Sequence, residues 1–342
     1  MALEALPGFR ALTTHHCVTG SMRHIYVYNN HPTSEEMLLG LGAGVGFIYW
    51  HMKGQPPFLG GRANVGRPGE EGLERTAGRR TGVRVERFQT GNAKKAEQAL
   101  LDMLGAGQPV MIQVDMGYLP YFHFPKEYHF GGHAVVVAGY DAATRQVLIA
   151  DRDGELHPVS LADLARARGS KFKPFPPQHT WYTFDFSRKR QPQPDEIRQA
   201  IHQVTAGMLR PPIANLGVKG IAKAAERVLE WPQIMDEEQL RYTCFNAFIF
   251  IDATGGTGGG LFRYMYSRFL REAAALTGEG CLQESADEFQ RVGDKWQAVA
   301  EMFKSTSQAD QPAAALPEVS TRLRELADLE GRGWSRLRET IR

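Results

Sequence analysis

The sequence predicts an α+β fold, with an antiparallel sheet in the N-terminal half and a mostly α-helical C-terminal half, and three observations carry the prediction. The first is a pair of β-branched runs, HAVVVAGYD at 133–141 and QVLIAD at 146–151, which a short polar loop turns into a β-hairpin. The second is a series of apolar patterns at helical spacing, at 194–209, 217–230, 260–276, 283–304 and 319–340. The third is the segment SRKRQPQPD at 187–195, rich in charge, Gln and Pro, across which the composition turns from strand-like to helix-like. The domain boundary is placed there, giving an N-terminal domain over 1–188 and a helical C-terminal domain over 189–342.

In chain order, residues 17–28 read as a helix. A second helix starts at Ser34, a good N-cap followed by the first-turn acids Glu35 and Glu36. Gly40, Gly42, Gly44 and Gly46 weaken its continuation, so it ends near Leu41, with a Gly-rich turn before the apolar residues 47–50. Residues 93–104 form a helix that stops at Gly105, and 109–115 form a strand that leads to the hairpin. The low-complexity stretch 307–317 reads as a connector.

Composition bounds the function. The chain has 342 residues, 40 Lys+Arg against 38 Asp+Glu, and a formal charge of +2, so no strong field selects nucleic acid or an anionic membrane as partner. Cys17, Cys244 and Cys281 are an odd, widely spaced set without a CxxC pair, which disfavours a disulfide framework or a structural zinc site and suits a reducing cytoplasm. The N-terminus lacks a signal-peptide pattern, and no run of about 18 apolar residues is present to span a bilayer. Oligomeric state is open, and a homo-oligomer is compatible with the sequence.

The hairpin also ties two distant residues together. A turn centred near Ala142 sets His133 directly opposite Asp151, where cross-strand Cβ atoms lie about 5 Å apart. A carboxylate there orients the imidazole and leaves its other ring nitrogen to move a proton. The bland alternative is that His133 only begins a buried strand and Asp151 only begins the turn DRDG; Asp153 is the alternative in a neighbouring register. The nucleophile candidate is Cys17, at the start of a helix, where unpaired N–H groups and the dipole favour a thiolate over the free thiol of pKa about 8.5. The same N–H groups suit an oxyanion. Cys244 and Cys281 read as small hydrophobes.

Other candidates are weaker. Thr14 and His16 precede the thiol; Glu36 can reach an amine or simply charge a helix start; Tyr118 and Tyr121 can line a pocket or cover the hairpin. Among 11 histidines none follows HExxH or a Cys/His zinc spacing, so no metal is expected, and no motif calls for a cofactor. The Gly-rich segment 255–269, with Arg263 and Arg268, is either a phosphate-binding turn or a tight interdomain turn; it lacks GxGxxG and a P-loop Lys.

HHC (15–17), SEEMLLGLGAGVGF (34–47), DMGYLPY (115–121) and HAVVVAGYD…VLIADRD (133–153) together resemble the butirosin biosynthesis protein H family, whose N-terminal domain resembles papain-like and C39-type cysteine peptidases. GVKGIAKAAE (217–226) and GGTGGGLFRYMYSRFL (255–270) are similar to the uncharacterised helical domain that accompanies it. The resemblance implies a papain-like N-terminal domain and a cysteine acyltransferase of antibiotic biosynthesis. It would move an acyl group from an acyl carrier protein thioester, through a Cys thioester, to a small-molecule amine. It also implies Cys17 as nucleophile, His133 as base and then acid, and Asp151 as orienting acid. Papain-like peptidases place a Gln shortly before the thiol, whereas Leu12, Thr13, Thr14, His15 and His16 stand here, so backbone, Thr14 or His16 must serve the oxyanion. The alternatives are a cysteine hydrolase (amidase, peptidase or thioesterase) with the same three residues, and a non-catalytic binding module.

Overall fold

The computed structural model describes residues 3–341 apart from 53, 67–69 and 126. Along the chain come α1 (Cys17–Tyr28), α2 (Glu35–Leu41), β1 (Val45–Trp50), β2 (Phe58–Arg62), α3 (Gly72–Arg80), β3 (Arg84–Phe88), α4 (Ala93–Gly105) and β4 (Val110–Val114). Then follow β5 (His133–Asp141), β6 (Gln146–Ala150), β7 (Leu156–Ser160), α5 (Leu161–Gly169) and β8 (Trp181–Asp185). The remainder is helical: α6 (Pro194–Leu209), α7 (Gly217–Arg227), α8 (Trp231–Ile234), α9 (Glu237–Ile251), α10 (Arg263–Thr277), α11 (Cys281–Gln308) and α12 (Pro312–Thr340). The chain is α+β, with its antiparallel strands in the N-terminal half, as the hairpin and helix patterns predicted.

It divides into two units. The first comprises Met1–Leu38 and Thr81–Gln191, the second Leu39–Arg80 and Pro192–Arg342. The break near residue 190 lies where the composition changes, but residues 39–80, assigned by sequence to the N-terminal domain, belong to the helical unit. The reason is local bonding. The hairpin β1–β2 bridges to α7's leading segment through Ile48 and Leu216, and the Tyr49 N–H donates to Asn215 O at 2.9 Å. Phe47 stacks on Trp296 at 5.6 Å, and Phe58 meets Phe250 at 4.8 Å. None of these partners is near in sequence, so no local pattern announces them.

In the first unit, six strands form one antiparallel sheet in the order β3-β8-β4-β5-β6-β7. The inward residues of β4, β5 and β6, among them Ile112, Val135, Val137 and Ile149, join Leu100, Leu104, Leu161 and Leu164 of α4 and α5 in one core. That is the period-2 face of a strand meeting the apolar stripe of a helix. Helix α1 packs against β4 and β5.

The hairpin register differs from the expected one. Asp141 pairs with Gln146, Tyr140 with Val147 and Gly139 with Leu148; after an irregularity at Ala138, Val137 pairs with Ile149 and Val136 with Ala150. Continued, the ladder sets Asp151 opposite Val135, so His133 is its diagonal neighbour rather than its direct one. The extra residue at 138 is what keeps the two on one face. In the register of the turn, Asp151 would oppose Val136, whose side chain points away from His133's face; a one-residue bulge reverses that parity.

In the second unit a fully buried ion pair organises the core. Arg263 donates through Nε and Nη2 to Glu330 at 2.9 and 2.8 Å, and the indoles of Trp296 and Trp334 donate to the same carboxylate at 2.5 and 2.7 Å. Arg263 Nη1 also donates to Gly46 O and Leu261 O, both at 2.8 Å. Arg263 is thereby removed from the phosphate-binding role that the Gly-rich segment suggested. That segment is a tight turn inside this unit: Gly260 has φ +54, and a Cβ there would lie 2.7 Å from the Gly293 backbone. The connector expected over 307–317 is mostly helical, since α12 begins at Pro312, and α9 covers the apolar TCFNAFIFI run, for which the sequence supplied no helix.

Candidate active site

The chain preceding α1 is built around a buried carboxylate. Glu35, 2% exposed at the first turn of α2, accepts the N–H of His15 at 2.9 Å, the N–H of His16 at 2.6 Å and the Thr19 hydroxyl at 3.1 Å. His16 is the N-cap of α1, its Nδ1 facing Thr19. Gly20 N–H closes the first helical bond on His16 O at 2.7 Å. The first two donors of the helix, the N–H groups of Cys17 and Val18, have no acceptor among the described residues. Cys17 is the first residue of the helix, with its side chain only partly buried. One turn on, Gly20 lets Thr14 pack directly on α1, since a Cβ there would collide with the Thr14 side chain.

His133, at the start of β5, lies against the thiol. Its Nε2 pairs with Asp151 Oδ2 at 2.7 Å, which leaves Nδ1 for the hydrogen bond with Cys17. Tyr121 Oη donates to the same Oδ2 at 2.9 Å, and the Tyr121 ring stacks on His157 at 4.1 Å. Phe122 meets the His133 ring edge-on at 5.7 Å. Both His133 and Asp151 are buried.

The electrostatics favour a charge-separated pair. Burial alone pushes the Cys17 thiol up, but the hydrogen bond and positive charge of His133, the backbone N–H of Ala134 and the guanidinium of Arg152 outweigh it and hold the thiol below its ordinary value. Burial disfavours the His133 imidazolium, yet the charge and hydrogen bond of Asp151, with a further contribution from Cys17, raise it to about 9. Burial pushes Asp151 up as well, and His133 with Tyr121 brings it below the usual carboxylate value. Tyr121, buried beside that carboxylate, is raised and stays a donor. The shifts favour a thiolate beside an imidazolium held by a carboxylate, the form in which a cysteine attacks a carbonyl.

Cys17, His133, Asp151 and Tyr121 are therefore gathered at one place. Tyr118 is not: its ring packs on His129 at 5.1 Å and under Arg166 at 4.6 Å. His16 is occupied at Nδ1 in capping, and the Thr14 hydroxyl is buried over α1 without a hydrogen-bond partner among the described residues. Glu36 was the glutamate singled out by sequence, but its neighbour Glu35 is the one bonded to the thiol's loop. Glu35 shares a helix face with Leu38 and Leu39, at i+3 and i+4, and that spacing was the available signal. The alternative Asp153 pairs instead with His157 at 2.8 Å. Cys244 is buried, its thiol pushed up to about 12, whereas Cys281 is exposed at the start of α11, contrary to the reading of a buried hydrophobe.

Two family models match the chain. Residues 16–152 match the family described as butirosin biosynthesis protein H, N-terminal, and residues 162–337 match a domain of unknown function, DUF4872. A search of the curated proteins found no match. Among the described residues no helix is long and apolar enough to cross a membrane. The first match contains Cys17, His133 and Asp151, and the two together span most of the sequence: the chain belongs to the butirosin biosynthesis protein H-like family.

Proposed function

We propose that the protein is a cysteine acyltransferase in which Cys17 is the nucleophile, His133 the proton carrier and Asp151 its orienting acid. The observation that carries this reading is the thiol at a helix N-terminus, hydrogen-bonded to an imidazole that is itself held by a buried carboxylate at 2.7 Å. Membership of a family named for butirosin biosynthesis supports biosynthetic acyl transfer, from an acyl carrier protein's phosphopantetheine thioester to a small amine. The first structural unit, with a papain-like core, carries the chemistry in this reading, and the helical unit is accessory. A cytoplasmic setting suits three cysteines that are all free thiols.

The chemistry balances without cofactor or metal. The Cys17 thiolate adds to the thioester carbonyl, and the oxyanion takes the N–H of Cys17, with Val18 N–H beside it. The donor's C–S bond then breaks, and the departing thiolate takes the proton of His133. In the second half, the amine attacks the acyl-enzyme, neutral His133 accepts its proton, and the Cys17 thiolate leaves, restoring the starting pair.

The test is intact-protein mass spectrometry of wild type and Cys17→Ala with acyl thioesters on carrier protein and on pantetheine. Wild type is expected to gain the acyl mass at Cys17 and to release an amide when amine is added. Discharge to free acid with amine present favours the hydrolase, and absence of any adduct favours the binding module.

A further inference from the structure

Six aromatic rings border the start of β5, on the segments that precede β5 and β8. Phe122, in edge contact with His133, is stacked by Phe124 at 5.1 Å and 13°, and Tyr128 closes on Phe124 at 4.3 Å. On the second limb, Phe130 meets Phe175 at 5.7 Å, and both lie beside Gly132, where a Cβ would stand 3.1 Å from the Phe130 ring and 3.4 Å from Phe175 Cβ. Phe172 stacks on His129 at 3.5 Å. Among the described residues, three of the five exposed large hydrophobic side chains of this unit are Phe124, Phe172 and Phe175.

These rings are held, not loose. The fully buried carboxylate of Asp115 accepts the N–H of Gly117 and of Phe130, both at 3.0 Å, the hydroxyl of Ser170 at 2.5 Å, and pairs with His129 at 2.9 Å. One side chain thus clamps both ends of the first segment and the start of the second. A fold that fixes apolar rings in place and leaves them in water has built a surface for an apolar ligand, with little ordering cost left to meet on binding. The row begins at His133, and a carbonyl attacked by Cys17 must sit within about 3.5 Å of the thiol, so a chain that leaves this carbonyl past His133 runs onto the rings.

We propose that this aromatic row is the acyl subsite, selecting a bulky apolar acyl group, aryl or long alkyl, over small or charged ones. The proposal rests on the acyl-transfer reading above. None of the six rings carries a charge, so a charged acyl chain would lose water there without gaining a partner.

Its test is the rate of Cys17 acylation of the full chain by matched pantetheine thioesters bearing phenylacetyl, octanoyl, acetyl and succinyl groups, followed by intact mass. Phenylacetyl or octanoyl is expected to load at least about tenfold faster than acetyl and succinyl, as burial of one ring-sized apolar group implies. Phe124→Ala should lower that ratio at least about threefold, with Phe124→Leu in between. Phe88→Ala, a similarly exposed ring that stacks on Trp181, should leave the ratio unchanged. Equal loading of all four donors, or a ratio indifferent to Phe124→Ala, overturns the subsite and spares the acyltransferase; absence of loading by every donor overturns both.

Discussion

Replacing Asp151 by Asn tests the whole line of charge at the candidate site. His133 stands at about 9 instead of 6.5, which corresponds to roughly 3 kcal/mol of preference for the imidazolium. Burial acts against that preference, so the attraction of Asp151 and Cys17 exceeds the net figure. Asn keeps the shape but removes the charge, and its amide N–H₂ offers a donor where the Nε2–H needs an acceptor. We expect the rate of Cys17 acylation at pH 7 to fall by about 10²–10⁴-fold with the fold intact, because both the imidazolium and its tautomer are lost. The assay is the pH dependence of iodoacetamide alkylation of Cys17, which reads thiolate independently of any substrate. In the variant the midpoint moves up toward the ordinary thiol range. A profile that superimposes on wild type would refute the argument, since the Asp151 charge would then not reach the thiol.

The remaining predictions concern the supports of that pair. Acylation rate against pH should be bell-shaped: on the acid side the thiolate of Cys17 is protonated, and above about pH 9 His133 loses the proton that the leaving thiolate needs, so the alkaline limb lies near pH 9 in rapid-mixing kinetics. Glu35→Ala strands two backbone N–H groups and a hydroxyl; it should cost about 2 kcal/mol or more in urea unfolding and slow Cys17 alkylation. Tyr121→Phe removes one of two donors to Asp151 Oδ2, and a loss under about tenfold in acylation is expected, with a shifted pH profile marking it as a positioning residue. Glu330→Leu leaves the Arg263 guanidinium buried without its counter-charge and should cost about 3–5 kcal/mol by urea unfolding; Arg263→Met with Glu330→Leu should cost less than the two single changes added.

Much of this was legible locally. Ser34 caps α2, whose hydroxyl accepts the Met37 N–H at 2.9 Å, and the composition break near 190 is where the second helical run begins. Cys17 at a helix start and the 133–151 hairpin depend on spacing that a single segment carries, because capping and alternation act between residues a few positions apart. What needed the fold was anything set by partners remote in sequence. The bulge at residue 138 changes the pairing of His133 from direct to diagonal, yet preserves its face with Asp151. Which of Glu35 and Glu36 turns inward depends on the N–H groups of a loop 19–20 residues earlier. Residues 39–80 look, by chain order, like part of the first domain, and only the packing of Phe47, Tyr49 and Phe58 against the helices removes them to the second.

The sequence by itself therefore determined the α+β fold class, Cys17 at a helix start, and His133 and Asp151 at the ends of one hairpin. Tertiary structure alone decided how they are joined, because the meeting of a thiol, an imidazole and a carboxylate is a matter of a few ångströms between strands and helices that no local pattern encodes.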